Sequence, residues 1–177
     1  MGCDKAKLEV NGRPLAQAIA SRILEIGVSV TVLGPDAIEG CSLQRDSIPY
    51  EGPLFALSNF RPDAGCVFVC SCDLPLFDSR LIGILVELIG DGDAAIPWSQ
   101  GRLQPLCALY KAQALAGLPE WLQRGSRRVM DWVKALRYTE VSEHCLAAQG
   151  LSPYCIRSAN TPEELARLLS LADQKFV

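Results

Sequence analysis

The stretch Cys66-Val67-Phe68-Val69-Cys70-Ser71-Cys72 is apolar on both of its alternating faces. A strand with one wetted face alternates apolar and polar side chains, whereas one that is apolar on both must be covered above and below, as in a parallel sheet flanked by helices. The rest of the chain supplies that cover. Leu15, Ala18, Ile19, Arg22, Ile23 and Ile26 recur at three- to four-residue spacing, with Pro14 suited to the first helical position and Gly27 to the end. Val28 to Leu33 reads as a β-branched strand closed by the turn residues Gly34-Pro35-Asp36.

The alternation of helix and strand continues. A short helix is expected over Gly52 to Phe60, and Pro75 stops the apolar strand from simply continuing. Asp78 is placed to cap a helix from Ser79 to Ile89, and Asp91-Gly92-Asp93 turns the chain into a strand from Ala94 to Trp98. Leu106 to Tyr110 is a further strand, Ala112 to Gln123 and Arg127 to Leu136 are helices, and Arg137 to Val141 is an edge strand. Thr161-Pro162-Glu163-Glu164 combines an N-cap, a first-turn proline and the glutamate of a capping box, so a last helix runs from there to about Ala172. No internal repeat or linker is visible. The expectation is one α/β domain over residues 1–177, with helices on both faces of a mostly parallel sheet and a ligand beyond the carboxyl ends of its strands.

Composition removes several classes of function. A formal net charge of -3 without a long basic block argues against a dedicated nucleic-acid binder, which needs a stripe of Lys and Arg. The longest strongly apolar run, Leu81 to Ile89, is broken by Gly83 and Glu87 and is far short of the roughly 20 residues that cross a bilayer. No signal-peptide pattern opens the chain, so a soluble, cytoplasmic protein with no membrane partner is expected. The 8 cysteines include no C-x-x-C pair, and His144 is the lone histidine to complete a mixed zinc site. Cys66, Cys70 and Cys72 share one strand face and suit packing better than a tetrahedral cage. His144 reads as a surface residue.

Asp73 follows directly on the most apolar strand, at the sheet edge where open α/β sheets hold their ligands. A single carboxylate there suffices to recruit Mg²⁺ that takes its other oxygens from substrate phosphates. The same position equally suits an Asp that caps a turn. Arg127 and Arg128 open a helix, where backbone N–H groups and guanidiniums together suit a phosphate, though such pairs are as readily an ordinary charged face.

Met1-Gly2-Cys3-Asp4-Lys5-Ala6, Gly52-Pro53-Leu54, Cys72-Asp73-Leu74-Pro75, Gln104 to Tyr110, Gly125 to Met130 and Asn160-Thr161-Pro162 occur in an order that resembles the molybdenum cofactor guanylyltransferases. The resemblance implies a Rossmann-like three-layer α/β/α sandwich of the nucleotide-diphospho-sugar transferase type. In that family a glycine-rich turn ending in Arg-Met-Gly comes ahead of the Lys5 segment. A first strand and a phosphate-cradling turn are therefore expected before Met1, and the sheet of the chain as given is expected to lack its first strand.

The resemblance further implies transfer of GMP from GTP to molybdopterin or its molybdenum form, with release of pyrophosphate. Lys5 and Asp73 would be catalytic, Lys5 offsetting triphosphate charge and Asp73 holding Mg²⁺. Lys5, Asp46 and Asp73 would bind GTP, and Gln104, Arg127, Arg128 and Asn160 would face molybdopterin. Transient contact with other cofactor-biosynthesis proteins or apoenzyme chaperones also follows. Gly34 stands where many relatives carry an Asn that contacts guanine, a departure that bears on base selectivity. The alternatives are a cytidylyl- or sugar-phosphate nucleotidyltransferase, a truncated and catalytically inactive interaction protein, and, last, a thiol-based metal or redox protein.

Overall fold

The computed structural model describes residues 9, 10, 12–45 and 52–173, and Lys5 and Asp46 lie outside them. The chain opens with the hairpin strands β1 (Glu9–Val10) and β2 (Arg13–Pro14), then helix α1 (Leu15–Glu25). Next come β3 (Thr31–Leu33), β4 (Ser42–Gln44), α2 (Pro53–Asn59) and β5 (Cys66–Cys70). Helix α3 (Arg80–Leu88) leads to β6 (Ala94–Ser99), β7 (Arg102–Leu103) and β8 (Cys107–Lys111). Three short helices follow, α4 (Ala112–Ala116), α5 (Leu118–Gln123) and α6 (Val129–Lys134). The chain continues through β9 (Tyr138–Ser142), α7 (Glu143–Ala148), a 3₁₀ turn (Pro153–Ile156) and α8 (Pro162–Asp173).

Strands β5, β8, β6 and β9 lie side by side, with β7 also paired to β6. β5, β6 and β9 point the same way, because β8 is antiparallel to both β5 and β6 while β9 runs parallel to β6. The apolar strand at Cys66 therefore finds an antiparallel neighbour where the sequence pointed to a parallel one. Apolar residues on both faces require cover, not a direction. All five residues of β5 are half-buried, whereas the first four of β8 are buried. β3 and β4 form a separate parallel pair among the described residues.

Side chains alternate between two cores, as the pleat requires. Ala95, Leu109 and Val141 face one core with Leu15 and Ile19 of α1 and Leu81 and Leu85 of α3. Ile96, Ala108 and Tyr110 face the other with Leu57 of α2, Leu115 of α4 and Trp132 of α6. The Tyr110 and Trp132 rings stack at 4.9 Å between centroids. Two helical layers thus enclose the sheet, giving the expected three-layer α/β sandwich.

Local differences have local causes. The helix expected from Ala112 to Gln123 breaks into α4 and α5 around Gly117, with Pro119 unable to donate in the first turn of α5. The strand expected from Val28 shrinks to β3, and Val28 is exposed. The capping box is formed: the Thr161 hydroxyl accepts the Glu164 N–H at 3.2 Å, and the Glu164 carboxylate accepts the Asn160 N–H at 2.7 Å.

Candidate active site

Strands β5, β6 and β9 all end at the same edge of the sheet, and the residues that follow them meet there. After Cys70 the chain turns through Ser71, whose N–H donates to the Leu106 carbonyl at 2.7 Å, into Asp73. Asp73 is buried, and the Ser71 hydroxyl donates to its Oδ1 at 2.6 Å. The Asp73 carbonyl accepts the Ala159 N–H at 2.8 Å, which fixes the chain ahead of α8 against the end of β5.

A cavity of about 370 Å³ opens over this edge, lined among others by Ser71, Asp73, Arg102, Gln104, Met130 and Ser158. Asp73 and Gln104, singled out from the sequence, are thus brought together. Gln104 has a structural task too: its Nε2 donates to the Ser99 and Arg102 carbonyls at 3.3 and 3.4 Å, holding the β6–β7 turn. Arg127 and Arg128 are exposed and line no part of this cavity, although Met130, in the helix that follows them, does. Asn160 is exposed at the cap of α8, while Ser158 two residues earlier reaches the wall. His144 is exposed. Gly34 continues the β3–β4 ladder, its N–H donating to the Gln44 carbonyl at 3.2 Å.

Beside the cavity lies a polar cluster that sequence reasoning missed. The buried Ser99 hydroxyl at the end of β6 donates to Glu143 Oε1 just past the end of β9. Arg157 Nη2 donates to the same oxygen at 3.1 Å, and its guanidinium lies over the Tyr154 ring, 4.5 Å from the centroid. The Ser99 hydrogen bond and then the Arg157 charge hold the Glu143 carboxyl below the usual glutamate range, against the opposing effect of burial. The rule that pointed to Asp73, a polar residue immediately beyond a strand's carboxyl end, also points to Ser99 and Glu143. Ser71 and Ser158 carry no comparable signal.

The buried thiols Cys107 and Cys155 are packing groups. Burial pushes Cys70, Cys107 and Cys155 upward, Cys155 to about 12, and no group of three or more potential ligands gathers among the described residues. One buried carboxylate beside a serine hydroxyl, facing an open cavity, fits a hard cation that arrives with its own phosphate ligands. It does not form a closed metal cage.

The fold and site define an α/β domain of the nucleotide-activating type, with an acidic residue at the carboxyl edge of its sheet. The chain belongs to the MobA-like NTP transferase domain family, whose model matches residues 1–141. It is 31% identical to a molybdenum cofactor guanylyltransferase of Cereibacter sphaeroides, across 96% of this chain and 89% of that protein. A probable molybdenum cofactor guanylyltransferase of Pelotomaculum thermopropionicum is 27% identical, across 98% and 87%. Among solved structures it is similar to the molybdopterin-guanine dinucleotide biosynthesis protein A of Archaeoglobus fulgidus, with TM-score 0.76 at 18% identity over 98% of this chain and 92% of that one. The 2-C-methyl-D-erythritol 4-phosphate cytidylyltransferase of Thermus thermophilus shares the fold, with TM-score 0.67 at 16% identity over 96% and 93%. No helix among the described residues is long and apolar enough to cross a membrane.

Proposed function

We propose that this chain is a molybdenum cofactor guanylyltransferase, moving GMP from GTP to the phosphate of molybdopterin or its molybdenum form and releasing pyrophosphate. The observation that carries this reading is likeness to proteins of that name along nearly the whole chain. The buried Asp73 at the cavity wall supplies the chemistry. An oxygen of the acceptor phosphate attacks the α-phosphorus of GTP, the new P–O bond forms, and the bond to the departing pyrophosphate breaks. The protein's part in such a reaction is alignment and charge compensation.

Asp73 would hold Mg²⁺, with Ser71 fixing the carboxylate's orientation. When bound, the cation offsets charge on the phosphoryl oxygens. Lys5 would compensate the triphosphate and Asp46 would contact the nucleotide; Gln104, Arg127, Arg128 and Asn160 would serve the pterin side. The cytoplasm is the compartment this reaction implies, and transient partners would be other proteins of cofactor assembly.

The test is Asp73→Asn, which removes charge with little change of shape. Guanylyl transfer to molybdopterin, followed by nucleotide product and pyrophosphate, should fall by at least about 100-fold, with thermal stability retained. Near-full turnover by this variant would overturn the role of Asp73. Faster transfer from CTP than from GTP would overturn the choice of base.

A further inference from the structure

We propose that Arg102 captures the phosphate of the acceptor, an inference that rests on the transfer reaction proposed above. Among the described residues that line the cavity, Arg102 is the one cationic side chain and Asp73 the one anionic side chain. No carboxylate among the described residues pairs with Arg102. A phosphomonoester entering beside a bound nucleoside triphosphate meets a like charge, which costs binding unless a further cation offsets it. A guanidinium does so with two parallel N–H donors matched to phosphate oxygens.

The backbone presents Arg102 rigidly. Ser99 and Arg102 pair across the β6–β7 hairpin, whose two turn residues, Gln100 and Gly101, have φ of 53° and 78°. Positive φ at both central positions is the turn that fits a two-residue hairpin. Gln104 ties both ends of that turn through its side-chain amide, and its own N–H donates to the Pro97 carbonyl at 2.8 Å. Ser99 is held from below by Glu143. The base of Arg102 is therefore fixed, and little ordering of the backbone remains to oppose ligand binding.

Position selects the acceptor over the nucleotide. Asp73 follows β5, whereas Arg102 opens β7, which pairs with β6 on the side away from β9 and so continues the line of β8, the strand next to β5. Arg102 thus stands one strand over from the line of β5, about 4.8 Å along the sheet edge, and opposite Ser99 at the end of β6. Gln104, on the pterin side of the reading above, bonds the Arg102 carbonyl, so Arg102 stands with the acceptor residues.

The experiment compares wild type, Arg102→Ala and Arg102→Lys with molybdopterin and GTP as substrates. Arg102→Ala should raise the KM for molybdopterin by about 10- to 100-fold and leave that for GTP within about twofold. Arg102→Lys, which keeps the charge but not the fork, should fall between. An unchanged acceptor KM, or an equal rise for GTP, overturns the proposal. A second measurement needs no turnover: binding of neopterin monophosphate and of neopterin, followed by pterin fluorescence. Wild type should prefer the phosphorylated form and Arg102→Ala should lose that preference; equal affinities in wild type overturn the proposal. A wild type that shows the preference but transfers nothing from GTP keeps the role of Arg102 and refutes the transferase reading.

Discussion

Replacing Glu143 tests whether the cluster of Ser99, Glu143 and Arg157 braces the cavity wall. Glu143→Ala removes two hydrogen bonds to a carboxylate and strands the Ser99 hydroxyl, which is 1% exposed. Bonds to charged groups contribute about 1.5–3 kcal/mol each. The side chains of Arg157 and Glu143 are 21% and 32% exposed, so water screens part of this. A net loss of about 2–3 kcal/mol is expected for Glu143→Ala. Glu143→Gln keeps an acceptor oxygen, and about 1 kcal/mol is expected. For a chain of this size each kcal/mol moves Tm by roughly 2–4 °C.

The pH dependence has a definite sign. The folded chain holds the Glu143 proton less tightly than the unfolded chain, so the stabilisation is present above the ordinary glutamate range and is lost as pH falls through the lowered folded value. Urea denaturation of wild type and Glu143→Gln should give a constant stability gap from about pH 8 to 5, closing below about pH 4.3. Other carboxylates titrate alike in both proteins and cancel in the difference. A gap that persists unchanged at pH 3.5 would refute the ion pair as its source. Arg157 leads directly to Ser158 at the cavity and to Ala159, whose N–H binds the Asp73 carbonyl. The acceptor KM should therefore rise in Glu143→Ala more than in Glu143→Gln.

Two glycine substitutions should move stability in opposite directions in the same denaturation assay. A Cβ on Gly83, inside α3, meets nothing within 4 Å, so Gly83→Ala should stabilise by about 0.5–1 kcal/mol. A Cβ on Gly92 would lie 2.9 Å from the Arg137 carbonyl oxygen and 3.1 Å from that of Ile89, and Gly92→Ala should cost about 1–3 kcal/mol. With Ellman's reagent at pH 8, Cys107 and Cys155 should stay unlabelled in the native protein, because burial holds them as thiols. Peptide mapping that finds Cys107 labelled as fast as the exposed Cys72 would contradict that packing.

The three-layer arrangement was legible because periodicity encodes burial, and burial on both faces of Cys66 to Cys70 demands two layers of helices. Strand direction was not. The residues of β8 are buried on both faces whichever way the strand runs, so Leu106 to Tyr110 gave no sign that it lies antiparallel between β5 and β6. β4 also went unseen, since Ser42-Leu43-Gln44 has no β-branched residue and is defined by its pairing with β3. At the site, Asp73 was readable from its place after a strand. The union of Ser99 with Glu143 was not, because those residues are 44 apart in sequence and meet only through the parallel pairing of β6 and β9.

The direction of β8 also determines which residues form the cavity. Had β8 run parallel to its neighbours, its carboxyl end near Lys111 would have faced the ligand edge and Gln104 would have lain at the opposite edge of the sheet. Because it runs the other way, its beginning faces that edge, and the Ser71 N–H reaches the Leu106 carbonyl just ahead of Cys107. The segment between β7 and β8 is thereby held against Asp73. The β6–β7 hairpin, too short to travel elsewhere, must deliver Arg102 to the same place. The antiparallel strands β7 and β8 among three parallel ones thus bring a carboxylate that follows a strand together with an arginine and a glutamine that precede β8, so both charges line one cavity without a long loop.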